Sequence, residues 1–171
     1  MSMPSFLYHG TSTGYFDQIL QDGLCPSLPQ VWPDPGSYLC FADELVIAWH
    51  HAECMAEWDS GTLERDCEPI VFIIPIERFT RSAFCLDRNF VRLAPSSGRA
   101  VGKPLPKRQW NWYALLKHAG AVGYRKNVKV LPADLVRAPA DYLDVSEDGG
   151  IAVPQAFHRE VLKFIGQEQM A

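Results

Sequence analysis

No stretch of this chain approaches the ~18 consecutive apolar residues that a membrane-spanning helix needs, so no membrane partner is expected. The first residues, Met1-Ser2-Met3-Pro4-Ser5-Phe6, lack the basic-then-apolar order of a secretory signal. A cytoplasmic protein is the expectation, and an effector exported without a cleaved signal is the alternative. Cysteine lacks any useful pattern. Cys25, Cys40, Cys54, Cys67 and Cys85 are odd in number and contain no Cys-x-x-Cys pair, which argues against a disulfide framework or a four-cysteine zinc site. They read as reduced, buried small hydrophobes, and no metal is expected. Positive charge is not in excess either. The 16 Lys and Arg against 20 Asp and Glu give a net charge of −4, which excludes a nonspecific nucleic-acid coat but leaves room for a local basic surface. Internal repeats, low-complexity segments and long linkers are also missing, so the 171 residues read as a single domain, 1–171.

What is present is an ordinary packed composition, 47% hydrophobic and 21% charged. Phe6-Leu7-Tyr8 predicts a short first strand, after which Thr11, Ser12 or Thr13 caps a helix with Phe16, Ile19 and Leu20 on one face and Gly23 at its end. Residues 25–36, rich in proline, predict a loop. Ser37 to Phe41 predicts the second strand. Asp43 then caps a helix with Leu45, Ala48, Trp49, Ala52 and Ala56 on one side, ending near Gly61. The run Ile70 to Ile74 predicts a strand buried on both faces, and Phe90 to Leu93 a shorter one. Pro95 to Arg108 is the longest irregular segment. A helix over Trp110 to Ala119, strands at Val122–Tyr124 and Val128–Leu131, and a helix carrying Phe157, Val161, Phe164 and Ile165 complete the chain. Without strict β-α-β alternation the class is α+β.

Taken singly, a His-Gly pair at a strand end reads as a turn, and Tyr38 in a strand reads as core. Order and spacing point further. Leu7-Tyr8-His9-Gly10-Thr11-Ser12 is followed by a helix with Ile19-Leu20 before Gly23-Leu24. Then comes Gly36-Ser37-Tyr38-Leu39-Cys40-Phe41-Ala42-Asp43 leading to Ala48 and His51, and a late segment from Asn127 to Val136. Over about residues 6–137 this resembles the ADP-ribosyltransferase superfamily related to diphtheria toxin and the poly(ADP-ribose) polymerases; 138–171 is left as a C-terminal extension with a helix.

The resemblance implies a split mixed β-sheet core flanked by helices, and NAD as substrate. It implies that the Gly10 backbone clamps the nicotinamide carboxamide, since a planar amide donates to one carbonyl and accepts from one N–H, and that His9 bonds the nicotinamide-side ribose with Thr11 behind it. Tyr38 would stack on the ring, and His51 would line the cleft, its plain alternative being a half-buried helix histidine. The family usually opens its last strand with a glutamate; the position here is Asn127, an amide without charge or basicity. The nearest later acid, Asp134, reads as lying past that strand, and Glu68 comes too early. His9, Tyr38 and Asn127 are thus the implied catalytic set.

The implied function is mono-ADP-ribosyl transfer to a protein or nucleic-acid acceptor, with cleavage of the nicotinamide–ribose bond. Its alternatives are an NAD glycohydrolase and an inactive module that binds NAD or ADP-ribose. A toxin or effector role is compatible with such a small transferase. His50 and His51, adjacent on a helix, point to different faces and make a poor metal pair. The stretch Arg99–Tyr113 mixes cations with Trp110, Trp112 and Tyr113, and Arg125, Lys126 and Lys129 form a basic turn, which keeps phosphorylated or nucleic-acid targets open.

Overall fold

The first strand runs on past Tyr8. In the computed structural model, which describes residues 4–26, 38–85 and 111–137 together with positions 159, 161 and 163, β1 spans Phe6–Ser12. Strand β2 is Leu39–Ala42, β3 Pro69–Pro75, β4 Phe84–Cys85, β5 Ala121–Tyr124 and β6 Leu135–Arg137. They form one six-stranded sheet in the order β4-β5-β2-β1-β3-β6. The expectations for most of 25–36, for Phe90–Leu93, for Pro95–Arg108 and for most of the C-terminal helix lie outside the described residues.

Every neighbouring pair is antiparallel, which corrects the mixed sheet expected from the sequence. Both β2 and β3 run opposite to β1 and flank it. The parallel crossover that a helix makes from β2 to β3 therefore straddles β1 and never becomes a hydrogen-bonded parallel pair.

Strand β1 pairs with β3 along its whole length, from Phe6↔Pro75 to Ser12↔Pro69. Ile76 N–H donates to Ser5 O and Thr13 N–H to Glu68 O, each at 2.9 Å. Backbone direction alternates along a strand, so the positions of Pro69 and Pro75, which have no N–H to give, face away from β1. Residues Ile70 to Ile74 are fully buried, as the apolar run predicts.

Ser12 does act as a cap: its hydroxyl accepts from Gly14 N–H at 3.0 Å and opens a 3-10 turn, Thr13–Tyr15. Helix α1 (Phe16–Asp22) follows and stops at Gly23, whose φ of +81° suits glycine and whose missing Cβ would stand 2.6 Å from Val128 O. Helix α2 (Leu45–Leu63) is longer than expected, continuing through Gly61 to Glu64, a left-handed terminus at φ 52°. Asp43 does not cap it. The cap position is Glu44, whose side chain makes no capping bond, while Asp43 sends its N–H to Gly120 O at 3.1 Å and meets Lys117 at 3.5 Å. Helix α3 (Trp112–Ala119) is capped by Asn111, which accepts from Ala114 N–H at 2.9 Å, and closed by Gly120 at φ +78°.

The stretch Val128–Leu131 is not a sheet strand. Val128 and Val130 are buried and Lys129 and Leu131 exposed, the alternation of a strand. Its partner, however, is Leu24 just past α1, through a single isolated bridge. The chain then makes a 3-10 turn, Pro132–Asp134, before β6.

Two buried clusters cover the two faces of the sheet. One gathers Leu7, Phe41, Phe72, Val122 and Tyr124 under Ile19, Leu24, Val128 and Leu116. The other packs Ala42, Val71, Ile73 and Val136 against Ala48, Trp49 and Ala52 of α2, and includes Val161 from the C-terminal extension.

Candidate functional site

The site begins where two neighbouring strands stop pairing. Ser5 and Thr13 turn their backbone groups to β3, so by alternation Tyr8, Gly10 and Ser12 turn theirs to β2. Tyr8 is matched there by Ala42, and the β1–β2 ladder ends with that pair. On β2, Asp43 N–H points to Gly120, so Ala42 and Cys40 face β1. The Cys40 carbonyl accepts instead from His9 Nδ1–H at 2.8 Å. A carbonyl cannot donate, which fixes the proton on Nδ1 and leaves Nε2 of the neutral ring as an acceptor. An imidazole thus spans the gap that a backbone bond would otherwise close.

Burial sets the state of that ring. His9 is 8% exposed, and desolvation pulls its pKa below the ordinary value, while the Cys40 hydrogen bond opposes the shift. The ring packs tilted against Phe41, centroids 5.2 Å apart. The hydrogen bond that orients it comes from Cys40 rather than from Thr11, which shares its face two residues along.

Gly10 lies on the other face. A Cβ there would run into the Ala48 carbonyl oxygen and stand 2.9 Å from Ala52 N, so glycine lets α2 lie directly on β1. Its N–H and C=O point sideways, to the opening. Tyr38, 4% exposed, is also on the face of α2: a Cβ on Gly123 would meet its ring at 2.8 Å and Cys85 Sγ at 2.7 Å. Half-buried His51, one helical turn after Ala48, flanks the same face. The fold therefore places Gly10, Tyr38 and His51 on the face of α2 and His9 on the opposite one, with His9 and Gly10 at the β1–β2 gap.

Asn127 is exposed in the turn between β5 and Val128 and opens no strand. The strand that pairs with β2 is Ala121–Tyr124, which carries no carboxylate. Asp134 lies past Val128–Leu131, as expected, and ends the 3-10 turn that leads into β6. It is 3% exposed, bound to Arg78, and accepts from Leu131 N–H at 2.6 Å. Strand β6 pairs with the side of β3 remote from β1, roughly 10 Å from β1 at ~4.8 Å per strand. Glu68 is exposed, and its N–H donates to Thr13 Oγ1 at 2.9 Å.

A cleft of about 520 Å³ opens past the end of β1, lined by Thr13, Gly14, Tyr15 and Gln18 on one side and by Arg65 and Glu68 on the other. Behind Gly14, the Ser12 hydroxyl donates to Asp59, 2% exposed on α2. Sequence reading passed over Asp59, although Ala48, Ala52, Ala56 and Asp59 follow one inward stripe. The Cys40 carbonyl has no side-chain signature that could have betrayed it. No group of three metal ligands occurs among the described residues, and no described helix is long and apolar enough to cross a membrane.

A comparison of the chain with protein-family models, curated proteins and solved structures finds no match.

Proposed function

We propose that this chain uses NAD at the β1–β2 opening, as a mono-ADP-ribosyltransferase of the kind its motifs resemble. The observation that carries the reading is the ladder that stops at Tyr8↔Ala42, with His9 bonded across it to Cys40 and Gly10 turning its backbone to the gap. A carboxamide needs one donor and one acceptor from a backbone with no side chain in the way, and Gly10 offers both. A ribose hydroxyl needs an acceptor, and neutral His9 offers Nε2. Tyr38 and His51 would supply flat walls on the face of α2, and the cleft lined by Gln18 and Glu68 would take the diol and base of the adenosine. In the reaction the bond from ribose C1′ to the nicotinamide nitrogen breaks, nicotinamide leaves with the electron pair, and an acceptor heteroatom bonds to C1′ and sheds a proton. The cationic C1′ centre is the species an enzyme must stabilise.

A second reading, an NAD-binding module without turnover, is favoured by one observation: β5 carries no carboxylate and Asp134 is held by Arg78. Loss of one such electrostatic partner lowers kcat by about 10²–10³ in other enzymes, so turnover here is expected to be slow. Calorimetry with NAD, followed by chromatography of released nicotinamide, separates the two readings; labelled NAD with cell lysate separates transfer from hydrolysis. Binding with slow release, abolished in His9→Ala and weakened in Tyr38→Phe, supports the transferase. Binding without any release favours the module, and absence of NAD binding in the wild type removes both.

A further inference from the structure

We propose that the cationic turn after β5 binds single-stranded nucleic acid, and that this is the acceptor class presented to the opening. The chain as a whole is acidic, at −4, yet Arg125, Lys126 and Lys129 stand exposed together. The turn is fixed at both ends. Arg125 N–H donates to Ala83 O at 3.0 Å, and Leu24 and Val128 exchange two bonds of 2.9 Å. The first of these bonds brings the exposed Arg81 to the same rim. Asp134, five residues after Lys129, is held by Arg78. Asp22, two residues before Leu24, is exposed.

Position ties the turn to the candidate site. Leu39 pairs with Tyr124 across β2 and β5, so the next level of that register sets Arg125 beside Tyr38. At the same end of β5, on the sheet face opposite Tyr38, lies an aromatic stack in which Phe84 is covered by both Phe79 and Trp112, so Trp112 is the member that can offer a face. Phe84 pairs with Tyr124, and half-buried Trp112 stacks on Phe84 with centroids 4.4 Å apart and planes at 19°. Cations that track phosphates, beside an aromatic surface that accepts a base, are the chemistry of single-strand binding. A phosphopeptide needs the cations but not the platform.

The presentation of an acceptor rests on the NAD reading above; the binding of the strand does not. The test is fluorescence anisotropy of a labelled single-stranded oligonucleotide of about twenty nucleotides, titrated at several salt concentrations. The wild type is expected to bind with a salt-dependent constant. The triple variant Arg125→Gln, Lys126→Gln, Lys129→Gln should bind at least about tenfold more weakly, with the slope of log K against log salt reduced by about 2. Trp112→Leu should weaken binding about tenfold with the slope unchanged, and Lys163→Gln, remote in sequence and exposed, should change neither. Thermal melts of each variant exclude unfolding as the cause. No binding by the wild type, equal binding by the triple variant, or tighter binding of a phosphopeptide overturns the proposal. NAD calorimetry on the same wild-type sample keeps the two readings apart: oligonucleotide binding without NAD binding sinks the transferase and leaves this site standing, and the reverse result does the opposite.

Discussion

His9 is a buried histidine held neutral, and its folded pKa lies below its unfolded one. The unfolded chain therefore takes up a proton that the folded chain refuses as pH falls below about 6.5. The stability this residue allows is complete above that pH and is lost downward toward the folded pKa. Urea unfolding at steps between pH 7.5 and 5 should show stability falling by up to about 1.4 kcal/mol per pH unit from this residue, and His9→Phe should flatten that part of the profile. An unchanged profile in the variant would mean that the ring is charged or hydrated. At this scale the sequence was readable in part. The cap was narrowed to Thr11, Ser12 or Thr13, and Ser12 caps the 3-10 turn, while α1 itself starts after Tyr15 without a side-chain cap bond. The partner of His9 is a main-chain carbonyl thirty-one residues away, which depends on strand register and leaves no mark in composition.

Among the elements, the contact of α2 with β1 depends on two small surfaces, Gly10 on the strand and the Ala48–Ala52 turn of the helix. The atoms that a Gly10 methyl group would strike are backbone, so no rotamer change can relieve them. Gly10→Ala should cost about 3 kcal/mol in urea unfolding, and a variant as stable as the wild type would show that α2 shifts freely. The periodicity of α2, the buried run of β3 and the glycine stop of α1 were all legible, because helix and strand periods and cap chemistry are local properties. The last strand was not. Val128 to Leu131 has the alternation of a sheet strand but spends it on Leu24, whereas β6 owes its existence to an edge of β3 that only the assembled sheet offers. Asn127 opens no sheet strand for the same reason: its place was inferred from a strand that the tertiary fold uses otherwise.

For the molecule as a whole, one residue of the C-terminal extension, Val161, joins the packing. Val161 is 2% exposed and lies in the cluster formed by Ala42, Trp49, Val71 and Val136. Val161→Ala should lower stability by about 2 kcal/mol and shift the whole unfolding curve without a separate early phase. A separate phase would mark the extension as an independent unit.

One consequence of the junction at Tyr8 reaches the whole sheet. Strands β4, β5 and β2 form one three-stranded plate and β1, β3 and β6 another, each laced by its own ladder. A seam of one residue pair and one imidazole joins them. Shear or tilt between the plates breaks few backbone bonds. Helix α2 leaves the first plate just past Ala42 and lies on the second through Gly10. It acts as the strap that limits how wide the seam can gape.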